Sequence, residues 1–134
     1  MGTQQLLLIG LAVIVTVVLI GVGIVMFRDQ AASQNRDSLT NDLVHFASQA
    51  RKYYHRPAML RGGNGSFGGM SMGQLTARPT NQNGTYMLVP DPIPAGEQSC
   101  TIVASGMEKG ANAEEPVKVT VVVWPDSMLM VVNN

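Results

Sequence analysis

Leu6-Leu7-Leu8-Ile9-Gly10-Leu11-Ala12-Val13-Ile14-Val15-Thr16-Val17-Val18-Leu19-Ile20-Gly21-Val22-Gly23-Ile24-Val25-Met26-Phe27 contains no charge and no proline. As a helix, these about 22 residues span roughly 33 Å, enough to cross a hydrocarbon core of about 30 Å. Many of them are β-branched and only fair helix formers in water, but in lipid a backbone has no partner except its own helix. Gly21 and Gly23 allow a neighbouring helix to approach closely, with a local loosening as the alternative. A helix apolar on every side needs lipid or a bundle of like helices around it.

No turn signal separates this run from the residues after Phe27. From Arg28 the pattern becomes one-sided: Leu39, Leu43, Phe46, Ala50 and Tyr53 step by 4, 3, 4 and 3, a helix stripe expected to lie on a sheet. Asn35, Asp37, Asn41, Asp42, Gln49 and Lys52 are assigned to the opposite, wet face. Pro57 closes the element by pushing the residue before it out of the helical region. The pattern predicts one helix over about residues 3–54, with Thr3 as its N-cap, roughly 75 Å long. No domain of roughly 80 residues is that wide, so half of the helix is expected to project.

At 134 residues the chain holds at most one compact domain beside the apolar segment. Nine basic and nine acidic residues cancel, and no nucleic-acid partner is read from charge. The charged fraction, 13%, is low and suits a chain that buries surface against copies of itself. Cys100 stands alone, which excludes an intrachain disulfide and a multi-cysteine metal site; it is expected as a small buried strand residue. A cleaved secretory signal has a basic front and a shorter apolar core than this run. A single-pass anchor competes, and its orientation is not set by flanking charge, because Arg28 adjoins Asp29 and no Lys or Arg precedes the run.

Residues 57–84 read as a glycine-rich connecting loop with a short turn of helix and few apolar anchors. After Asn83-Gly84 the pattern is β: strands are predicted at Tyr86–Val89, Cys100–Ala104, Val117–Trp124 and Met128–Val132, with Gly106–Pro116 as a polar loop. Pro125-Asp126 makes a tight turn between the last two strands. The fold class is therefore α+β: a long N-terminal helix whose second half packs on a small antiparallel sheet of about four strands. Four segments result: 1–27 an apolar helix, 28–56 an amphipathic helix, 57–84 a loop, and 85–134 a sheet domain.

Nothing specific to catalysis emerges. His45 and His55 lack partners at ligand spacing, and His45 is placed at a surface or interface. There is no nucleophile-elbow pattern, and the glycines at 62–69 lack the Gly-Lys-Ser/Thr of a phosphate cradle. No enzyme activity, cofactor or metal is assigned. Asn64-Gly65-Ser66 and Asn83-Gly84-Thr85 are sequons, so Asn64 and Asn83 are candidate glycosylation sites in an exported chain. At Asn83-Gly84, plain turn chemistry is the better reading.

Met1-Gly2-Thr3-Gln4-Gln5-Leu6-Leu7-Leu8-Ile9, followed by a continuous apolar helix, resembles the start of a mature type IV pilin or pilin-like (pseudopilin) subunit. The segment Asp42-Leu43, Ala47, Ala50, Tyr53-Tyr54 is similar to the second half of the pilin helix, and a loop followed by a small antiparallel sheet is the family's domain plan. The resemblance implies a structural subunit of an extracellular, cell-surface filament serving adhesion and motility. It also implies an inner-membrane pool before assembly and a pilus assembly machinery as partner. Met1, Gln5, Leu6, Leu7, Leu8, Leu11, Ile14, Val17, Val18, Gly21 and Gly23 would then pack against identical subunits, with Met1 as the start of the mature chain. The family usually has Glu at the fifth position, countering a neighbour's amino terminus. Gln5 accepts a hydrogen bond there but supplies no charge, so the amine is modified or solvated, the register differs, or the lineage is an outlying one. Two alternatives stand beside this: a minor pseudopilin of a secretion or DNA-uptake system, and a single-pass anchored small β domain.

Overall fold

The computed structural model describes residues 2–134 and has an α+β fold. Helix α1 runs over Gly2–His55, a 3₁₀ turn over Ala58–Leu60 and a short helix α2 over Met72–Leu75. Four strands follow: β1 Gly84–Val89, β2 Cys100–Lys109, β3 Pro116–Val123 and β4 Met128–Val132. They form one antiparallel meander in the order β1-β2-β3-β4. The chain divides into two units, one ending at Ala31 and one of Ala32–Asn134, so the boundary lies a turn of helix beyond residue 27.

Helix α1 is unbroken, and Gly21 and Gly23 do not loosen it. Thr3 lies inside the helix, because Gly2 is already helical; it is not the N-cap. Lys52 sits in the last turn, where its positive charge suits the carbonyl end of the helix. The final carbonyls are taken up by the returning loop: Gly63 N–H donates to Tyr53 O at 2.8 Å, and Gly65 N–H to Tyr54 O at 2.9 Å. The helix therefore ends against its own following segment.

Alternation sorts the sheet into two faces. Val117, Val119, Val121 and Val123 of β3 are all buried, as are Cys100, Ile102 and Ala104 of β2 and Tyr86 and Leu88 of β1. These meet Leu39, Leu43, Phe46, Ala47 and Ala50 of α1 in one core. Strand β2 is longer than its sequence suggested, since Gly106–Lys109 continue it with a register irregularity between Ser105 and Lys109. The reason is Gly106, where a Cβ would run into Asn35 and Leu39; without one, the strand crosses the helix closely. Strand β3 stops at Val123, and Trp124 enters the turn, its N–H donating to Ser127 O at 2.8 Å.

The loop over residues 57–84 is better anchored than its composition indicated. Phe67, Met70, Met72 and Leu75 are buried together with Ile93. Two segments distant in sequence pair here: Gly69 N–H donates to Ile93 O at 2.8 Å, Ile93 N–H to Met70 O at 3.0 Å, and Phe67 N–H to Glu97 O at 2.9 Å. At Gly68 an added Cβ would sit 2.7 Å from Ala95 Cα, so only glycine permits this backbone approach.

Candidate functional site

The apolar run is uncovered. From Leu6 to Phe27 its large hydrophobic side chains are between 47% and 81% exposed. The segment is long and apolar enough to cross a membrane. Gln5, Leu6, Leu7, Leu8, Leu11, Ile14, Val17, Val18, Gly21 and Gly23 are all exposed and lie all round the helix, forming a surface rather than a pocket. Met1 lies outside the described residues. Thr16 does not interrupt the surface chemically, since its hydroxyl donates to Ala12 O at 2.8 Å within the helix. A Cβ at Gly10, Gly21 or Gly23 would meet nothing within 4 Å, so each glycine is a flat place open to a neighbour.

Along the second half of α1 the same backbone buries one stripe. Leu39, Leu43 and Ala50 are fully buried, and the Phe46 ring meets Tyr86 of β1 edge-on, with centroids 4.9 Å apart at 76°. Tyr53, the last of the stripe, serves the loop: it is half-buried and its hydroxyl donates to Gly68 O at 3.0 Å. Tyr54 tilts against Phe67 at 4.9 Å, and its hydroxyl donates to Gln98 Oε1 at 2.8 Å. Helix, loop and the segment before β2 are thus tied at one place.

Asp42 and Asn35 are not on a wet face. Asp42 Oδ2 accepts from Asn83 Nδ2 at 2.9 Å, from Asn81 Nδ2 at 3.1 Å and from the Tyr86 hydroxyl. Burial alone would raise the Asp42 pKa; the hydrogen bonds from Asn83, Tyr86 and Asn81, with a smaller contribution from His45, outweigh it and hold the carboxyl below its ordinary 3.8. Burial first, and then this carboxylate, push the Tyr86 phenol above its ordinary 10.0. Asn35 Nδ2 donates to Asn83 O at 2.7 Å, and Asn35 Oδ1 accepts from Glu108 N–H at 3.4 Å. A signal for both exists in the sequence: Asn35, Leu39, Asp42 and Phe46 step by 4, 3 and 4, which puts the two polar residues on the stripe. Assigning them to water gives polarity more weight than spacing, and the structure reverses that order.

The remaining candidates separate by exposure. Asn64 is exposed in the loop, at φ 47. Asn83 has its amide nitrogen committed to Asp42, and Asn81 Oδ1 accepts from the N–H groups of Asn83 and Gly84, the turn chemistry of an Asn-Gly pair. Cys100 is buried at the start of β2, which pushes its thiol up to about 12. His45 and His55 are exposed. Among the described residues no three His, Cys, Asp or Glu side chains converge to hold a metal. Compared with protein-family models, curated proteins and solved structures, the chain matches none.

Proposed function

We propose that the chain is a structural subunit that polymerises, through its apolar helix, into an extracellular filament of the type IV pilus kind, drawing on an inner-membrane pool and a pilus assembly machinery. One observation carries this reading. A single uninterrupted helix is bare and apolar all round over Leu6–Phe27 and buried on one stripe over Leu39–Ala50. An exposed apolar surface of this extent is stable in water only when lipid or copies cover it. Burying roughly 1,500 Å² of it per subunit, at about 25 cal/mol per Å², supplies tens of kcal/mol before the entropy cost of association. Such an interface holds a filament without covalent links, with Gln5 beside the amino terminus of an adjacent chain.

The test compares the full chain with a chain starting at Arg28. Both are expected to give the same β-sheet spectrum, with only the full chain recovered in fibres sheared from cells, identified by negative-stain imaging and mass spectrometry. Equal polymerisation by the shorter chain would overturn the reading. The second reading, a membrane-anchored β domain, draws on the same helix, which is long and apolar enough to span. A protein that stays wholly with the membrane fraction supports that one. A minor pseudopilin would share the fold and differ in abundance.

A further inference from the structure

Strand β4 is the least buried strand of the sheet. Met128–Val132 are all apolar, and none is buried. The register sets Met128 and Val132 opposite Val123 and Val119 of the inner face, yet they are 40% and 49% exposed; on the outer face Leu129 and Val131 are 53% and 43% exposed. Met130, opposite Val121, is partly buried against the core; the rest of the strand is bare on both faces.

Its hydrogen-bond phase shows which backbone groups are free. Trp124 N–H donates to Ser127 O at 2.8 Å and Asn133 N–H to Lys118 O at 2.9 Å. Bonded pairs alternate along an antiparallel ladder, so Leu129 and Val131 exchange bonds with β3, while Met128, Met130 and Val132 turn their N–H and C=O groups to the open edge. Among the described residues these groups have no other backbone partner. The opposite edge is largely closed: Tyr86 N–H donates to Pro79 O at 2.7 Å, Asn81 N–H to Gly84 O at 2.9 Å, Thr80 bridges Thr85, and Pro90 follows the strand. Strand β4 is short but carries neither lysine nor proline nor bulge.

We propose that β4 pairs antiparallel with β4 of a second copy of this chain, about a twofold axis at Met130. A sheet with one open edge finds its match in the same edge of another copy, an isologous contact. The phase fits: Met128, Met130 and Val132 are symmetric about Met130, so Met128 faces Val132 of the other copy and Met130 faces itself, each pair exchanging both bonds. No charges oppose one another across the seam. The strand exposes less than about 500 Å² per copy, so the contact is of the weak class, below about 1,200 Å² in total, and its paired backbone hydrogen bonds carry it. A twofold contact is not the repeat of a filament whose subunits all point one way. It joins a subunit to a copy outside its own helical array and does not depend on the filament reading.

Oxidative crosslinking of the full chain in membranes tests this. Paired Met130 positions lie about 5.5 Å apart between Cα atoms, within disulfide reach. Met130→Cys is expected to give a covalent dimer as the main product, at least tenfold more than Val103→Cys, which lies two strands inward on β2. Adding Met128→Lys with Val132→Lys should lower the dimer at least tenfold, since lysines would then oppose each other. Met128→Lys with Val132→Glu should restore it, because each lysine would face a glutamate. No dimer from Met130→Cys, equal dimer from Val103→Cys, adducts to other proteins as the main product, or no rescue by the Lys/Glu pair would each overturn the proposal. Fibres without this crosslink would sink the pairing alone, and the crosslink without fibres would sink the filament alone.

Discussion

Leu11 and Leu43 stand on one continuous helix, yet the first is 58% exposed and the second 0%. Neither the residue type nor the backbone differs. What differs is the neighbourhood in the sequence: Leu11 is surrounded by further apolar residues on every side, whereas Leu43 belongs to a stripe flanked by polar ones. A stripe can be satisfied by one sheet. An all-round apolar cylinder would need the sheet to wrap it, and four short strands cannot. The first half of α1 therefore keeps its demand for cover, and the second half has its demand met by its own chain.

The sharpest way to break this contrast is a charge in the bare half. Leu11→Asp or Val17→Asp places an unpaired carboxylate where lipid or other helices must pack, at a cost of several kcal/mol. On the proposed filament reading, fibres should disappear from sheared material, while near-ultraviolet circular dichroism of the Ala32–Asn134 unit stays unchanged. A simultaneous loss of that signal would show that the halves are energetically coupled. In the covered half, Phe46→Ala removes a buried ring packed on Tyr86 and should lower unfolding stability by about 3–5 kcal/mol, read by urea denaturation.

A subtler comparison sets Asp42 against Asp37. Asp37 is exposed and makes no side-chain hydrogen bond among the described residues, so Asp37→Ala should change stability by less than about 0.5 kcal/mol. Asp42→Ala strands the Tyr86 hydroxyl and the amides of Asn81 and Asn83, and should cost about 2–3 kcal/mol. Tyr86→Phe, which removes one donor and leaves the carboxylate two, should cost about 1 kcal/mol.

The smallest effect is a pH dependence. Because the folded pKa of Asp42 lies below 3.8, its contribution is in full force above pH 3.8 and is lost as pH falls from there through the lowered value. Tyr86 acts in the opposite sense: its folded pKa lies above 10.0, so its contribution is present below pH 10 and declines as pH rises beyond it. Thermal melts from pH 5 down to pH 2 should show a flatter acid limb for Asp42→Asn than for the unaltered chain. Identical limbs would assign the acid sensitivity to other carboxylates.

Local periodicity by itself determined most of the architecture. The unbroken helix, the core stripe of Leu39, Leu43, Phe46 and Ala50, the order of four strands and the Pro125-Asp126 turn all rest on spacing within a few residues, where a side chain's direction follows directly from the backbone. The long apolar run was legible for the same reason, as was the burial of Cys100 at the start of β2. Only the tertiary structure decided what depends on residues far apart. Phe67, Met70 and Ile93 share a core because two loops separated in sequence bond to each other, and no local pattern records that pairing. Asn35 and Asp42 sit beside the core because Asn81, Asn83, Tyr86 and Glu108 reach them from across the fold, and a polar side chain looks the same in sequence whether its partner is water or another residue. The exposure of β4 is of this kind too: five apolar residues in a row read locally as a buried strand, yet only Met130 packs partly against the core.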